Sequence, residues 1–187
     1  VSNITFAALI IIVDMGRPER LYFLFTHGRL QSPIMWDVIV ITTYFFLSLL
    51  LLYITLIPDV KMMISLKDKL GKPFSKLYKW MASFWKGTEA QEKIRNRSIT
   101  ILCVTIIPVA FCIHTVTSWL FATTYRPGWD SSNFGAYFVS GAFLVGAGAV
   151  GVAMFVYRRV YKLESYITEF HFDKMGKITV MLALLYL

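Results

Sequence analysis

Ser98–Thr124 reads SITILCVTIIPVAFCIHTVTSWLFATT and contains no Asp, Glu, Lys or Arg. An uncharged apolar run of about 18 residues or more is a transmembrane helix candidate. With a rise of about 1.5 Å per residue, this run is long enough to cross a hydrocarbon core of roughly 30 Å. Two other stretches share its character: Phe134–Tyr157 carries no charge, and Ile34–Ile57 carries only Asp37. Shorter apolar blocks lie at Ile4–Val13 and Ile178–Leu187. Of the 187 residues, 57% are hydrophobic and 16% charged, against roughly 25% charged in a typical soluble domain. A net charge of +8 would suit a nucleic-acid binder if Lys and Arg alternated with polar residues. Here the apolar residues come in blocks, which disfavours that class. The expected fold is all-α: a polytopic transmembrane helix bundle, read as an internal fragment of one longer membrane domain. It has three complete spans, 34–57, 98–124 and 134–157, and two partial ones, 1–13 and 178–187. A signal peptide fits the first block poorly, because Val1-Ser2-Asn3 offers no basic start.

Loops alternate sides of a membrane. Pro58–Arg97 and Arg158–Lys177, which share a side, hold ten and five Lys/Arg; Asp14–Pro33 and Tyr125–Asn133 hold three and one. Lys and Arg near span ends resist translocation, so the first pair is expected to be cytoplasmic. The basic loop 58–97 mixes Lys with Trp80, Phe84 and Trp85. It reads as an amphipathic segment at the lipid headgroups, in preference to a nucleic-acid or partner-binding loop. Cys103 and Cys112 fit no metal-ligand spacing, so no iron–sulphur or zinc site is expected within the chain. They read as small packing residues. Gly141, Gly146, Gly148 and Gly151 read as points of close helix approach.

Polar side chains in lipid are costly unless partnered or wet, so they mark function. Three stand out: Asp14 in DMGRP, Asp37 one turn inside its span, and His114 in IHTVTSW. On the expected topology all three lie in the outer half of the membrane. Asp37, Tyr44 and Ser48 share one helical face, as do His114, Thr117, Ser118 and Tyr125. Pro108 is expected to bend the His114 helix. A membrane haem normally takes two axial His from helices, and His27 and His171 are expected in loops. A quinone site fits better. Oxidising a quinol removes two electrons and two protons, and a neutral imidazole and a carboxylate can each accept a hydrogen bond and then the proton. Trp36, Trp119, Phe121 and Phe111 can supply an apolar slot for the ring.

The motifs DMGRPERLYFLF (14–25), SPIMWDVIVITTYF (32–45) with LIPDV (56–60), IHTVTSWLFA (113–122), RPGWDSSNFGAYFVSGAF (126–143) and LESYITEFHFDKMGKI (163–178) together resemble the NrfD/PsrC family. These are membrane subunits of polysulphide reductase-like complexes, and the chain looks closest to the quinol-oxidising membrane subunit of alternative complex III. The resemblance implies a helical bundle of about eight to ten spans in the bacterial inner membrane, with no redox cofactor of its own. It also implies a menaquinone-type quinol bound near the periplasmic face, other membrane subunits, and an iron–sulphur partner subunit docked on that face. It puts the catalytic acid–base residues at Asp37, His114 and Asp14. The quinone pocket then takes in Trp36, Tyr44, Ser118 and Trp119, with Arg17 beside Asp14. The chain departs from alternative complex III at Asp14 and Asp130, where those subunits often have His, and at Leu120, where they often have an acidic residue. Two other classes compete with this reading. A transporter or proton channel would need ionisable residues in the inner half of its spans, and a structural anchor would tolerate loss of Asp37 and His114.

The expected topology is checked by cysteine labelling from outside intact cells. A membrane-impermeant thiol reagent should label Asn133→Cys and leave Lys67→Cys untouched; the opposite pattern reverses the orientation.

Overall fold

Lipid offers the backbone no hydrogen-bond partners, so a spanning segment must satisfy its own N–H and C=O groups. The computed structural model accordingly builds the apolar blocks as helices. It describes residues 1–65, 72–124 and 126–187, with the side chains of 65 and 72–75 also outside the description. Lys67 and Tyr125, named above, therefore lie outside the described residues. The helices are α1 (Ser2–Asp14), α2 (Leu21–Thr26), α3 (Pro33–Ser65), α4 (Lys72–Met81), α5 (Glu89–Ala122), α6 (Phe134–Val160) and α7 (Glu169–Tyr186), with a 3₁₀ turn at Pro18–Arg20. No strand occurs among the described residues, and the fold class is all-α as expected. Three helices are long and apolar enough to cross a membrane: those at Pro33–Ile64, Glu89–Ala122 and Phe134–Val160. The protein is a multi-pass membrane protein.

The helices outlast the apolar runs that announce them. α3 continues through Pro58 to Ser65, although the basic loop was expected to begin at Pro58. A proline inside a helix removes one hydrogen bond, to the carbonyl four residues back, and the turns on either side persist. α5 starts at Glu89, ahead of the uncharged run, because a cap is available there. Thr88 Oγ1 accepts from the Gln91 N–H at 3.4 Å, while Gln91 Oε1 accepts from the Lys86 and Gly87 N–H groups at 2.8 and 3.1 Å. The Thr-x-x-Gln spacing is that of a capping box, and Glu89 and Glu92 in the first turn suit the positive end of the helix dipole.

α7 likewise starts at Glu169 rather than near Ile178. Thr168 caps it, and His171 Nδ1 accepts from the Thr168 N–H at 3.2 Å. His171 was expected in a loop and instead sits in the first turn of α7, where its ring does the work that Glu or Gln does in the usual box. His27 ends α2, next to the Phe23 ring at 5.7 Å.

The chain divides into two compact units, Val1–Ala110 and Phe111–Leu187, the division falling inside α5 just after Pro108. In the first unit α4 packs on α3. Val60 and Ala82 are buried there, and Tyr53 Oη donates to the Met81 carbonyl at 3.0 Å. In the second unit α6 packs along α7. Glycine matters at one place in that seam: a Cβ added at Gly141 would come within 2.8 Å of the Tyr186 ring. Gly146, Gly148 and Gly151 have nothing within 4 Å of the corresponding position, so close approach accounts for Gly141 and not for these three.

Substituting Gly141→Ala should force the Tyr186 ring out of the seam and cost about 1–3 kcal/mol, the usual range for overpacking. Gly146→Ala, with open space around it, should leave the thermal unfolding midpoint of the detergent-solubilised protein unchanged or raise it. Equal midpoints for the two variants would contradict this seam.

Candidate functional site

In the first unit, Asp14 is the last residue of α1 and is exposed, as is Arg17 beyond it. No ion pair joins the two. Asp37 lies in the second turn of α3 and is half-buried. Its neighbour Trp36 is turned away from the helix, donating its indole N–H to the Leu30 carbonyl in the preceding turn. This bond closes the chain entry into α3, so the indole anchors a turn. Tyr44 is half-buried and Ser48 buried on the same helix face as Asp37.

In the second unit, a cavity of about 750 Å³ opens between the C-terminal part of α5, the start of α6 and the end of α7. α5 contributes Phe111, Thr115 and Trp119. Their i, i+4, i+8 spacing puts them on one stripe. α6 contributes Tyr137, Ser140 and Phe143, and Tyr186 of α7 closes one side. The Tyr137 and Tyr186 rings stack with centroids 4.5 Å apart. Tyr186 Oη donates to Tyr137 Oη, which leaves the Tyr137 O–H free to donate onward. Thr115 and Ser140 spend their own hydroxyl protons on backbone carbonyls, those of Phe111 at 2.8 Å and Tyr137 at 3.0 Å, so toward the cavity they can only accept.

His114 precedes Thr115 and so occupies the neighbouring stripe of α5, about 100° round the helix. It is half-buried and meets Phe143 edge to face, at 5.9 Å and 73°. Phe143 also packs on Phe111 at 4.3 Å. Phe143 is thus the wall shared by the imidazole and the cavity. Ser118 lies elsewhere than expected of a pocket residue. It is fully buried, its hydroxyl donates to the Thr115 carbonyl at 2.7 Å, and a Cβ at Gly135 would be 3.4 Å from its oxygen. It is a helix-packing contact. Trp119 lines the cavity and is half exposed. Phe121, expected in the slot, instead packs on Trp129 at 5.1 Å and Phe138 at 5.8 Å, with the Arg126 guanidinium 5.2 Å from the Trp129 ring. This cluster ties down the turn from α5 to α6.

The cavity therefore selects from each helix a stripe adjacent to the one that polarity alone picks out. Tyr137, Ser140, Thr115 and Tyr186 were not among the expected pocket residues. The signal that would have found them is the register of Phe111 and Trp119, which share a face with Thr115 and not with His114. The arrangement can hold a flat apolar ring between aromatic walls and offer one phenolic donor and two hydroxyl acceptors at its edge. Its volume falls within the roughly 300–1,000 Å³ of ordinary small-molecule sites. Among the described residues no group of three or more His, Cys, Asp or Glu is disposed to hold a metal ion.

Comparison with known proteins bears on the same residues. Residues 1–187 match the family model described as "Polysulphide reductase, NrfD". The chain is also 30% identical over 146 residues to a "Putative dimethyl sulfoxide reductase membrane subunit" of Halobacterium salinarum, an alignment covering 76% of this chain and 30% of that protein. The chain thus spans about a third of the length of that curated relative. With the match running from its first residue to its last, and with apolar helices where the motifs lie, this chain belongs to the NrfD family of multi-pass membrane proteins.

Proposed function

We propose that this chain is the quinone-reactive part of a membrane subunit in a respiratory reductase complex, seated in the bacterial inner membrane. The observation that carries the proposal is the aromatic-walled cavity of the second unit, with His114 behind its Phe143 wall. Family membership and the name of the Halobacterium relative support the wider setting.

In this reading a quinone or menaquinone ring lies against Phe111, Trp119 and Phe143. One ring oxygen accepts from Tyr137, whose proton is otherwise uncommitted. As a quinol becomes a quinone, two protons and two electrons leave it. The electrons pass to an iron–sulphur partner subunit on the periplasmic side, and the protons to side chains that can hold them. The His114 imidazole is suited to take one, because a neutral ring nitrogen accepts at ordinary pH. Asp37 and Asp14 enter as proton acceptors from the sequence motifs. Asp37, half-buried in its span, is the stronger of the two, because Asp14 is exposed at a helix end and unpaired with Arg17. The reverse reaction uses the same groups. The chain contributes binding, orientation and proton transfer, and its partner contributes the metal centres.

Proton transfer by a positioned side chain contributes about 10²–10⁴-fold to rate. Asp37→Asn should slow quinol-linked turnover by a factor in that range, while the complex assembles and the partner's clusters remain reducible by artificial donors. His114→Phe should impair both rate and quinol binding. Full quinol activity in an assembled Asp37→Asn, His114→Phe double variant would defeat the acid–base assignment and favour a structural anchor. The cavity is tested separately. Ser140→Phe places a ring in it and should raise KM for a short-chain quinol analogue more than it lowers kcat. An unchanged KM would move the quinone elsewhere.

A further inference from the structure

Between the spans of the first unit the chain makes a surface that the proposed quinone chemistry does not use. Residues 58–97 hold ten Lys/Arg against four Asp/Glu. Within them α4 is the most one-sided helix of the chain, polar on average yet carrying large apolar side chains. The side of α4 toward α3 is set by Tyr78, Met81 and Ala82, which are half-buried or buried. On the opposite side Lys76, Lys79, Leu77 and Trp80 are exposed, Leu77 at 50% and Trp80 at 69%. The next turn adds exposed Lys86 and Phe84, the latter 79% exposed.

This surface is built and held. Lys61 of α3 donates from Nζ to the Trp85 carbonyl at 2.9 Å, and Gln91 of α5 donates from Nε2 to the Phe84 carbonyl at 3.1 Å. The same Gln91 accepts from two N–H groups of the turn. The turn is thus fastened to both spans. Those spans place it at a membrane surface, since α3 ends and α5 begins on the same side of the bilayer.

We propose that the outer face of α4 and the turn after it form a docking surface for anionic phospholipid headgroups. The ammonium groups of Lys76, Lys79 and Lys86 pair with lipid phosphates, while Trp80, Leu77 and Phe84 enter the boundary between headgroups and acyl chains. The argument is complementarity at a known depth. Basic side chains interleaved with Trp and Phe, on a helix that begins and ends beside membrane spans, match the composition of interfacial helices that favour anionic lipid. A nucleic acid would engage the lysines and leave these exposed apolar groups in water.

The test reconstitutes the complete complex into vesicles of phosphatidylcholine containing a minor fraction of phosphatidylglycerol. Spin-labelled forms of each lipid then report which is held at the protein boundary. The complex should prefer phosphatidylglycerol several-fold at low salt. The preference should fall toward one in the triple variant Lys76→Gln, Lys79→Gln, Lys86→Gln, and in wild type at about 1 M salt, where charges beyond roughly 3 Å are screened. The corresponding triple Arg variant should keep it, which separates loss of charge from misfolding. Equal preference in wild type and the Gln variant would overturn the proposal. So would protection of Lys79→Cys from a water-soluble thiol reagent by a partner subunit in phosphatidylcholine alone, which would make the face a protein interface. Quinol turnover is read in the same samples. Its loss with lipid preference intact would count against the quinone reading alone.

Discussion

Everything in this protein follows from the absence of hydrogen-bond partners in hydrocarbon. A peptide group left unsatisfied there costs several kcal/mol, so an apolar run of span length has one economical conformation, a helix that closes its own bonds. Pro58 and Pro108 each forgo one bond, and both helices continue through them. Where the chain leaves the apolar runs, the same requirement is met by side chains. Thr88 with Gln91, and Thr168 with His171, satisfy helix starts in polar sequence. These caps let α5 and α7 begin well before their apolar residues do.

Inside lipid, apolar surface alone does not draw helices together, so contacts depend on shape and on polar pairs. The second unit illustrates both. Gly141 gives the Tyr186 ring room to lie against α6, and the ring then stacks on Tyr137 and joins it by a hydroxyl pair. Ser118 fills the small space beside Gly135 and returns its proton to its own helix. Next to these tight contacts, Phe111, Trp119 and Phe143 are too large and too differently oriented to close the gap, and a cavity remains. The candidate site is thus the complement of the packing. In the first unit the same economy holds at the membrane surface, where Tyr53, Lys61 and Gln91 fasten α4 and its turn by bonds to backbone carbonyls.

How far the sequence could be read depends on whether the deciding physics is local. The three spans were legible because transfer of a charged side chain into lipid is costly whatever its neighbours, so charge-free length is enough. Membership of the NrfD family was legible for a related reason: its motifs lie at span ends and polar intrusions, where few residue types work. Helix limits were less legible. Pro58 looked like an end, and the start of α7 was hidden because His171 stands in the capping position where Glu or Gln is the usual signal. The Thr88–Gln91 box, by contrast, has the ordinary spacing and could have been read.

The sequence by itself determined that the chain is an all-α membrane protein, which stretches cross the bilayer, and which ionisable groups lie within them. Each of these follows from transfer energies that act residue by residue. Only the tertiary structure decided which stripe of α5 faces the cavity, that Ser118 packs while Thr115 lines, and that one glycine of four is needed for close approach. These turn on rotations of about 100° and on gaps of a few tenths of an ångström between helices. A helix carries no record of its rotation until a neighbouring helix packs against it.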